Sequence, residues 1–240
     1  MKIYTEVPEM GYRRIRDTLA GDYDIHVNDK RVYHLCRELG IRSTLKHRRY
    51  GCTRASSKPD YTAENRLNRK FVAGRPNEKW LTDVTEFKYG SGGAVHKLYL
   101  SAILDLYDRR VVAYVLGDSN NNALVFETFD KAVATDPDAH PLFHSDRGYQ
   151  YTSKDFHKRL EAAGMEQSMS RVGKCIDNGP MEGFWGILKR EMYYGKKYSS
   201  REALVKAIEA YMDYYTNRRI QRKLCVMTPM AYHKKYYEAA

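Results

Sequence analysis

Three acidic residues lie at positions where a carboxylate needs a chemical reason. Asp83 lies in the middle of an alternating segment rich in β-branched and aromatic residues, where aspartate is disfavoured. Asp146 follows the short apolar run 141–144, and Glu182 lies just after Gly-Pro at the start of a helical pattern. Gathered together, three carboxylates would repel one another unless divalent cations offset their charge. Oxygen ligands favour Mg²⁺, with Mn²⁺ as the alternative, so the pattern predicts a metal site at Asp83, Asp146 and Glu182.

Each of these carboxylates also has a structural interpretation. Asp83 could be an edge or turn residue, Asp146 a helix cap and Glu182 a partner of the helix dipole. The 35 residues between Asp146 and Glu182 contain a predicted helix, strand and loop, which is enough to return the chain beside the sheet. This spacing, together with the basic residue Lys189, favours a shared metal site over three independent structural roles.

Four further side chains near the carboxylates have less specific patterns. Glu86 is expected on the opposite face of its strand and in solvent, whereas Asp105 and Asp177 are expected to be structural, at a turn and as a loop brace. His144 lies two residues before Asp146. It is either a hydrogen-bond partner of the metal site or an ordinary buried histidine.

The segment 171–191 joins a basic, glycine-broken loop to an amphipathic helix. At helical spacing, one face of that helix carries Asn178, Glu182, Trp185 and Lys189. A carboxylate between an amide and a cation is unusual for a buried stripe and favours a surface that contacts metal and phosphate. Trp185 is expected to pack inward. The predicted DNA-binding residues are Lys174, Asn178, Lys189 and Arg147.

The elements that would position these residues follow from the periodicity of the chain. Strand patterns occur at 80–89, 97–106 and 110–116, with a glycine-rich turn after the first. A helix, a strand, a helix and a strand follow at 123–134, 141–144, 153–163 and 166–170, before a long final helix at 201–215. This order is that of the ribonuclease H-like α/β fold, with a mixed five-stranded sheet.

Residues 1–46 are predicted to form a small helical domain in front of this fold. A helical stripe at 9–20 ends at Gly21, and a second helix begins at Asn28 or Asp29 and ends at Gly40. The apolar stripe of the second helix is Val32, Leu35, Cys36 and Leu39. Such a pair of helices resembles a helix-turn-helix and either reads a DNA groove or serves as an adaptor. Residues 47–75 are expected to be a basic linker, and 76–240 the catalytic domain with a helical tail.

The formal net charge of +11 is distributed unevenly. Residues 1–75 carry 17 basic and 9 acidic side chains, residues 76–145 carry 6 and 10, and residues 146–240 carry 18 and 11. Basic flanks around an acidic middle favour a chain that holds a polyanion and, at its centre, cations; a solvated basic surface is the alternative. The four cysteines contain no Cys-x-x-Cys pair, which argues against zinc. No apolar run approaches a membrane span and no signal-peptide core occurs, so we expect a cytoplasmic, nucleoid-associated protein without a membrane partner.

Several motifs together resemble those of a known family. They are Trp-x-Thr-Asp-x-Thr at 80–85, His-Ser-Asp-Arg-Gly-x-Gln-Tyr at 144–151 and Asp-Asn-Gly-Pro-Met-Glu-Gly-Phe-Trp-Gly-x-Leu-Lys at 177–189. With related segments near the N-terminus and at 214–229, they cover nearly the whole chain. The sequence is similar to the DDE transposases of the bacterial IS-three insertion-sequence family, in particular to the product of their second reading frame.

The resemblance implies a retroviral-integrase-like core in which Asp83, Asp146 and Glu182 are the catalytic, metal-binding residues and Lys189 contacts the terminal DNA of the element. Such a core would use two Mg²⁺ ions, about 3.5–4 Å apart, for in-line displacement at phosphorus, first by water and then by the freed 3′-hydroxyl. The implied partners are double-stranded DNA at element ends and target, further copies of the chain on that DNA, and a first-frame helix-turn-helix protein, separate or fused. A non-catalytic DNA-binding regulator and a generic ribonuclease H-like nuclease are the alternatives.

Overall fold

The computed structural model describes residues 2–45, 61–91 and 94–239. These residues form two compact units. The described part of the α/β unit consists of 61–91, 94–187 and Lys197–Glu209. That of the helical unit consists of 2–45, Leu188–Lys196 and 210–239. The helical unit is thus assembled from three separate stretches of chain.

The helices are, in chain order, α1 (Lys2–Glu6), α2 (Tyr12–Asp22), α3 (Asp29–Glu38), α4 (Asn122–Thr135), α5 (Lys154–Ala162), α6 (Gly179–Leu188), α7 (Arg201–Asp213) and α8 (Pro229–Ala239). A 3₁₀ turn at Cys175–Asn178 leads into α6, and another spans Arg222–Leu224. The π turns Lys189–Tyr193 and Tyr214–Arg218 follow α6 and α7, so the predicted final helix changes its winding near its end. No helix in the described part of the chain is long and apolar enough to cross a membrane.

A mixed five-stranded sheet forms the centre of the α/β unit. Its strands are β1 (Lys79–Tyr89), β2 (His96–Asp105), β3 (Val111–Gly117), β4 (Leu142–Ser145) and β5 (Glu166–Met169), in the spatial order β3-β2-β1-β4-β5. β2 pairs antiparallel with both β1 and β3, whereas β4 pairs parallel with both β1 and β5. The predicted ribonuclease H-like sheet is confirmed, with every strand within two residues of its predicted ends.

Aromatic side chains fill the core between this sheet and two of its helices. Phe129 of α4 and Phe156 of α5 meet edge to face with ring centres 5.5 Å apart, and Phe143 of β4 lies within 5.7 Å of both. All three are fully buried. Burying a side chain of this size contributes about 1.5–3 kcal/mol. The cluster therefore holds α4 and α5 against the strand that leads to Asp146.

In the helical unit, α2 and α3 pack around a small core of Met10, Ile15, Val32 and Cys36. As predicted, α3 is capped by Asn28, whose side-chain oxygen accepts a hydrogen bond from Arg31 N at 2.7 Å. The cap provides a partner for one of the amide groups that the first turn of a helix leaves unpaired.

Two details of these helices differ from the sequence prediction. α2 does not stop at Gly21 but continues to Asp22, and a Cβ at Gly21 would lie 2.7 Å from Ile220 Cδ1. Glycine at this position therefore allows a close approach of the C-terminal stretch rather than ending the helix. Leu35 and Leu39, predicted in the apolar stripe of α3, are exposed because the small core reaches only the neighbouring face of that helix.

The compact units also differ from the predicted domain boundaries. Residues 61–75, predicted as linker, belong to the α/β unit, in which Leu67 is buried and its N–H donates to Ser168 Oγ at 3.1 Å. The first part of that predicted linker, 47–60, lies outside the described residues. The C-terminal stretch 210–239, predicted as a tail of the catalytic domain, belongs to the helical unit.

Candidate active site

Asp83 lies near the middle of β1, and two N–H groups hold its carboxylate. Oδ1 accepts a hydrogen bond from Val84 N at 2.8 Å, and Oδ2 accepts one from Trp185 Nε1 at 3.0 Å. A carboxylate has about four acceptor positions, so both oxygens keep room for another partner. The side chain is thus fixed in direction and still able to bind a cation.

The strand register places Asp146 beside Asp83. In the parallel pair of β1 and β4, Leu81 lies opposite His144. Two residues further along the chain, Asp83 still lies within β1, and Asp146 directly follows the carboxyl end of β4. Open α/β sheets bind ligands outside the carboxyl ends of their strands. Asp146 Oδ1 accepts a hydrogen bond from Gly148 N at 2.8 Å, which orients this second carboxylate.

The charges of Asp146 and Glu182 act on the carboxylate of Asp83. The pKa of Asp83 is raised to about 7, first by burial and then by the negative charges of Asp146 and Glu182. Glu182 lies in the first turn of α6 and is exposed, and partial desolvation raises its pKa as well. Asp146 and Glu182 are therefore near enough to Asp83 for their charges to act on it, and their shared metal site stays a prediction.

This donor set fits a hard divalent cation. It consists of carboxylate oxygens, and their mutual repulsion would fall when a dication binds. Among residues 2–45, 61–91 and 94–239, no group of three acidic, histidine or cysteine side chains is arranged as a ready cation site.

The helix face that carries Glu182 is turned partly toward β1. Asn178 is 5% exposed, and its side-chain Nδ2 donates to Thr82 O at 3.1 Å. This placement contradicts the predicted DNA contact of Asn178, because its amide lies inside the α/β unit and bonds to the backbone of the strand. Trp185 packs inward, as predicted, and is 6% exposed.

The other predicted DNA-binding residues lie in different environments. Lys174 is exposed in the loop between β5 and α6. Arg147 is half-buried, and its Nε donates to Ser170 O at 2.9 Å. Lys189 begins the π turn after α6 and belongs to the helical unit. The DNA contacts of Lys174, Arg147 and Lys189 remain predictions.

His144 is an ordinary buried histidine with both ring nitrogens paired. Nδ1 lies 2.8 Å from Ser168 Oγ, and Nε2 lies 3.2 Å from Ser170 Oγ. Burial lowers the pKa of His144 to about 4, so the ring is neutral at pH 7. These contacts hold the end of β4 against β5 and the residue that follows it.

Asp177 braces the loop that precedes α6. Its fully buried carboxylate accepts hydrogen bonds from Arg171 Nε at 2.8 Å, Arg69 Nε at 2.7 Å and Asn65 Nδ2 at 2.8 Å. The brace itself was predicted, but Asn65 and Arg69 were missed. They lie 112 and 108 residues from Asp177, and no local pattern connects them to it.

The two remaining acidic candidates have structural roles. Asp105 is buried at the end of β2 and accepts hydrogen bonds from Asn77 N and Tyr107 N. Glu86 is half-buried rather than in open solvent, because it pairs with Lys97 at 2.9 Å. Neither residue is a neighbour that raises the pKa of Asp83.

Three family comparisons cover most of the chain. The family described as Integrase core domain matches residues 73–175, and a second family of that description matches residues 182–236. The family described as HTH-like domain matches residues 1–50. These ranges include the three carboxylates and both helices of the predicted helix-turn-helix pair.

Proteins that are similar in sequence align with most of this chain. An uncharacterized transposase-like protein of Haemophilus influenzae is 41% identical over 87% of this chain and 94% of its own. The putative transposase InsK for insertion sequence element IS150 of Escherichia coli is 39% identical over 95% of this chain and 78% of its own. Transposase InsF for insertion sequence IS3A, also of E. coli, is 30% identical over 90% of this chain and 73% of its own.

Among solved structures, the HTLV-2 integrase catalytic core domain in complex with magnesium superposes with a TM-score of 0.51. It is 18% identical and covers 67% of this chain and 98% of its own. The simian T-cell lymphotropic virus intasome gives a TM-score of 0.54, at 18% identity and 67% of this chain and 57% of its own. At this identity the likeness is one of fold.

Proposed function

Because the chain belongs to the IS-three family of insertion-sequence transposases, we propose that Asp83, Asp146 and Glu182 are the carboxylates with which it cleaves and joins DNA strands. The chain is a transposase of the polynucleotidyl transferase class, built on an integrase core with a DNA-binding, helix-turn-helix-like N-terminal region. The observation that supports the assignment is electrostatic: after burial, the negative charges of Asp146 and Glu182 raise the pKa of Asp83.

Integrase cores depend on divalent cations, and we propose two Mg²⁺ ions held by the three carboxylates. When bound, such ions activate the attacking oxygen and stabilise the leaving oxygen of an in-line displacement. Asp83 and Asp146, on adjacent strands, would supply ligand oxygens in fixed directions, since backbone or side-chain N–H groups already orient both. Glu182 would complete the site from α6.

Two displacements at phosphorus make up the reaction. In the first, water attacks the phosphodiester at the element end, a P–O bond forms and the bond to the 3′-oxygen breaks, which frees a 3′-hydroxyl. In the second, that hydroxyl attacks a target phosphodiester and displaces the target strand's 3′-oxygen. Neither step requires a covalent bond between DNA and protein, so the role of the chain is to position and stabilise.

The integrase-core and helix-turn-helix-like families indicate DNA as the partner of this transposase, and we propose that its active form is an oligomer on DNA. We propose more specifically that it binds double-stranded DNA at element ends and target, and that a first-frame helix-turn-helix protein, separate or fused, assists recognition. The excess of basic residues outside 76–145 supports a polyanionic partner. Association with the nucleoid would follow from this affinity.

The substitution Asp146→Asn tests the assignment, because it removes a negative charge while keeping the shape of the side chain. We expect loss of Mg²⁺-dependent strand joining on element-end DNA, with binding of that DNA retained in a mobility-shift assay. Asp130→Asn is the matched control, since Asp130 is exposed on α4 and pairs with Arg159. Retained joining by Asp146→Asn would refute the triad, and cleavage of RNA–DNA hybrids without joining would indicate a nuclease.

A further inference from the structure

Two side chains of the helical segment around Glu182 reach across to β1. Asn178, Glu182 and Trp185 follow one another at spacings of four and three residues, so they lie on the same side of that segment. The first donates a hydrogen bond to Thr82 O and the third to Asp83 Oδ2. Glu182 lies between these two residues in the segment, and its negative charge acts on Asp83.

We propose that Trp185 is a positioning residue that orients the Asp83 carboxylate and, with Asn178, sets the register of α6 on β1 so that Glu182 faces Asp83. This inference rests on the proposed metal role of Asp83 and Glu182. It adds two N–H donors to the three carboxylates. Trp185 donates to Asp83 itself, and Asn178 donates to the neighbouring Thr82.

The indole N–H suits this role because it can only donate and its ring cannot change direction freely. Trp185 is 6% exposed and packs against Phe184, with ring centres 4.9 Å apart. A buried ring offers its N–H from a fixed point, and the bond to Asp83 Oδ2 is 3.0 Å long. With Val84 N on the other oxygen, the carboxylate is held at both ends.

Asn178 provides a second, independent connection one helical turn before Glu182. Its side chain is buried, and the bond from Nδ2 to Thr82 O is 3.1 Å long. Thr82 immediately precedes Asp83, so the two contacts from the helical segment reach consecutive residues of the strand. A shift of α6 along β1 would break both hydrogen bonds at once.

Packing alone is the competing explanation, and Trp185→Phe separates the two. Phenylalanine keeps an aromatic ring in the core but has no N–H for Asp83. Trp80→Phe is the matched control, because Trp80 is buried in the same unit and its Nε1 donates to Asn77 Oδ1 rather than to a carboxylate of the site.

The first measurement is the affinity of the full chain for Mn²⁺, by titration calorimetry without DNA. Partners that orient a metal ligand typically account for 10–100-fold in affinity. We expect Trp185→Phe to bind Mn²⁺ at least tenfold more weakly than the wild type, and Trp80→Phe to bind it as the wild type does. Equal binding by Trp185→Phe and the wild type would overturn the proposal.

The second measurement uses tryptophan emission and does not require Trp185→Phe to fold. The chain has two tryptophans, so in Trp80→Phe all indole emission comes from Trp185. Added Mn²⁺ should quench this emission, and the further substitution Asp83→Asn should abolish the quenching. Emission that does not respond to Mn²⁺ would overturn the positioning role.

Asp146→Asn distinguishes failure of this inference from failure of the proposed function. If Asp146→Asn loses Mn²⁺ binding while Trp185→Phe keeps it, the triad stands and the role of Trp185 is wrong. If Asp146→Asn binds Mn²⁺ like the wild type, the metal site itself is wrong, and the inference fails with it.

Discussion

Glu191 is the shared partner of two cations in the helical unit, and its replacement gives the sharpest stability test. Its carboxylate accepts hydrogen bonds from Arg14 Nη1 at 2.6 Å, Arg219 Nη2 at 2.8 Å and Tyr211 OH at 2.9 Å. Burial alone would raise the pKa of Glu191, but the contacts with Arg219 and Arg14 outweigh burial and lower it. The carboxylate is therefore charged at pH 7, and Glu191→Gln would remove that charge.

The size of the effect follows from the burial of the partners. The side chains of Glu191 and Arg219 are 7% and 10% exposed, whereas that of Arg14 is 20% exposed. Removing one member of a buried ion pair costs about 3–5 kcal/mol, because the remaining charge stays out of water without a counterion. Glutamine still accepts one hydrogen bond, so we expect the lower end, about 3 kcal/mol.

Hydrogen exchange of the amides in α2 is the suitable assay, since a chain with two compact units need not unfold in a single step. Glu191→Gln should lower the protection of α2 by about two orders of magnitude, which corresponds to the 3 kcal/mol expected from the buried pair. Asp213→Asn is the control, because Asp213 and Arg218 are 58% and 63% exposed and such pairs contribute at most about 1 kcal/mol. Equal losses of protection in both variants would refute this reasoning.

Further predictions concern pH and two glycines. The hydrogen bonds from Arg171 hold the pKa of Asp177 well below its usual range. The charged brace therefore stabilises the fold above about pH 4, the pKa of aspartate in the unfolded chain, and this contribution is lost as pH falls further. The free energy of unfolding should fall less steeply from pH 4 to pH 2 in Asp177→Asn than in the wild type. An equal slope in the two proteins would contradict the prediction. Gly183→Ala should stabilise α6 by up to about 1 kcal/mol, since nothing lies within 4 Å of the added Cβ. Gly164→Ala should lower the free energy of unfolding by about 1 kcal/mol or more, because φ is +65° and the added Cβ would lie 3.1 Å from His140 Nδ1. Melting temperatures that shift in the same direction for both glycine variants would contradict this pair of predictions.

The sheet could be predicted, and the three carboxylates could be singled out as candidates, because their signals are local. Alternation of apolar residues marks β1, and an aspartate in its middle stands out against that background. Asp146 ends a short apolar strand, and Glu182 follows a helix-starting proline. Each signal needs only a few neighbouring residues, and the strand order then places β4 beside β1.

Partners that are distant in sequence could not be predicted in this way. Leu67 lies in a charged segment without an apolar period, yet it is buried because the segment packs along β5. Helical spacing predicted one face with Asn178, Glu182, Trp185 and Lys189, but α6 ends at Leu188 and Lys189 begins the π turn that follows. Polarity then suggested that this face meets solvent and DNA, whereas two of the four side chains find hydrogen-bond acceptors on β1.

The three-part construction of the helical unit also bears on how the protein is made. Arg14 and Glu191 are 177 residues apart, so at about 5–20 residues per second a ribosome needs roughly 10–35 s to supply the second after the first. During that interval the N-terminal helices have neither this carboxylate nor the C-terminal stretch beside them. A chain that ends early would carry the sequence of the helix-turn-helix-like region without the partners that hold it. The N-terminal helices therefore lack these stabilising contacts until the stretch 210–239 has been synthesised.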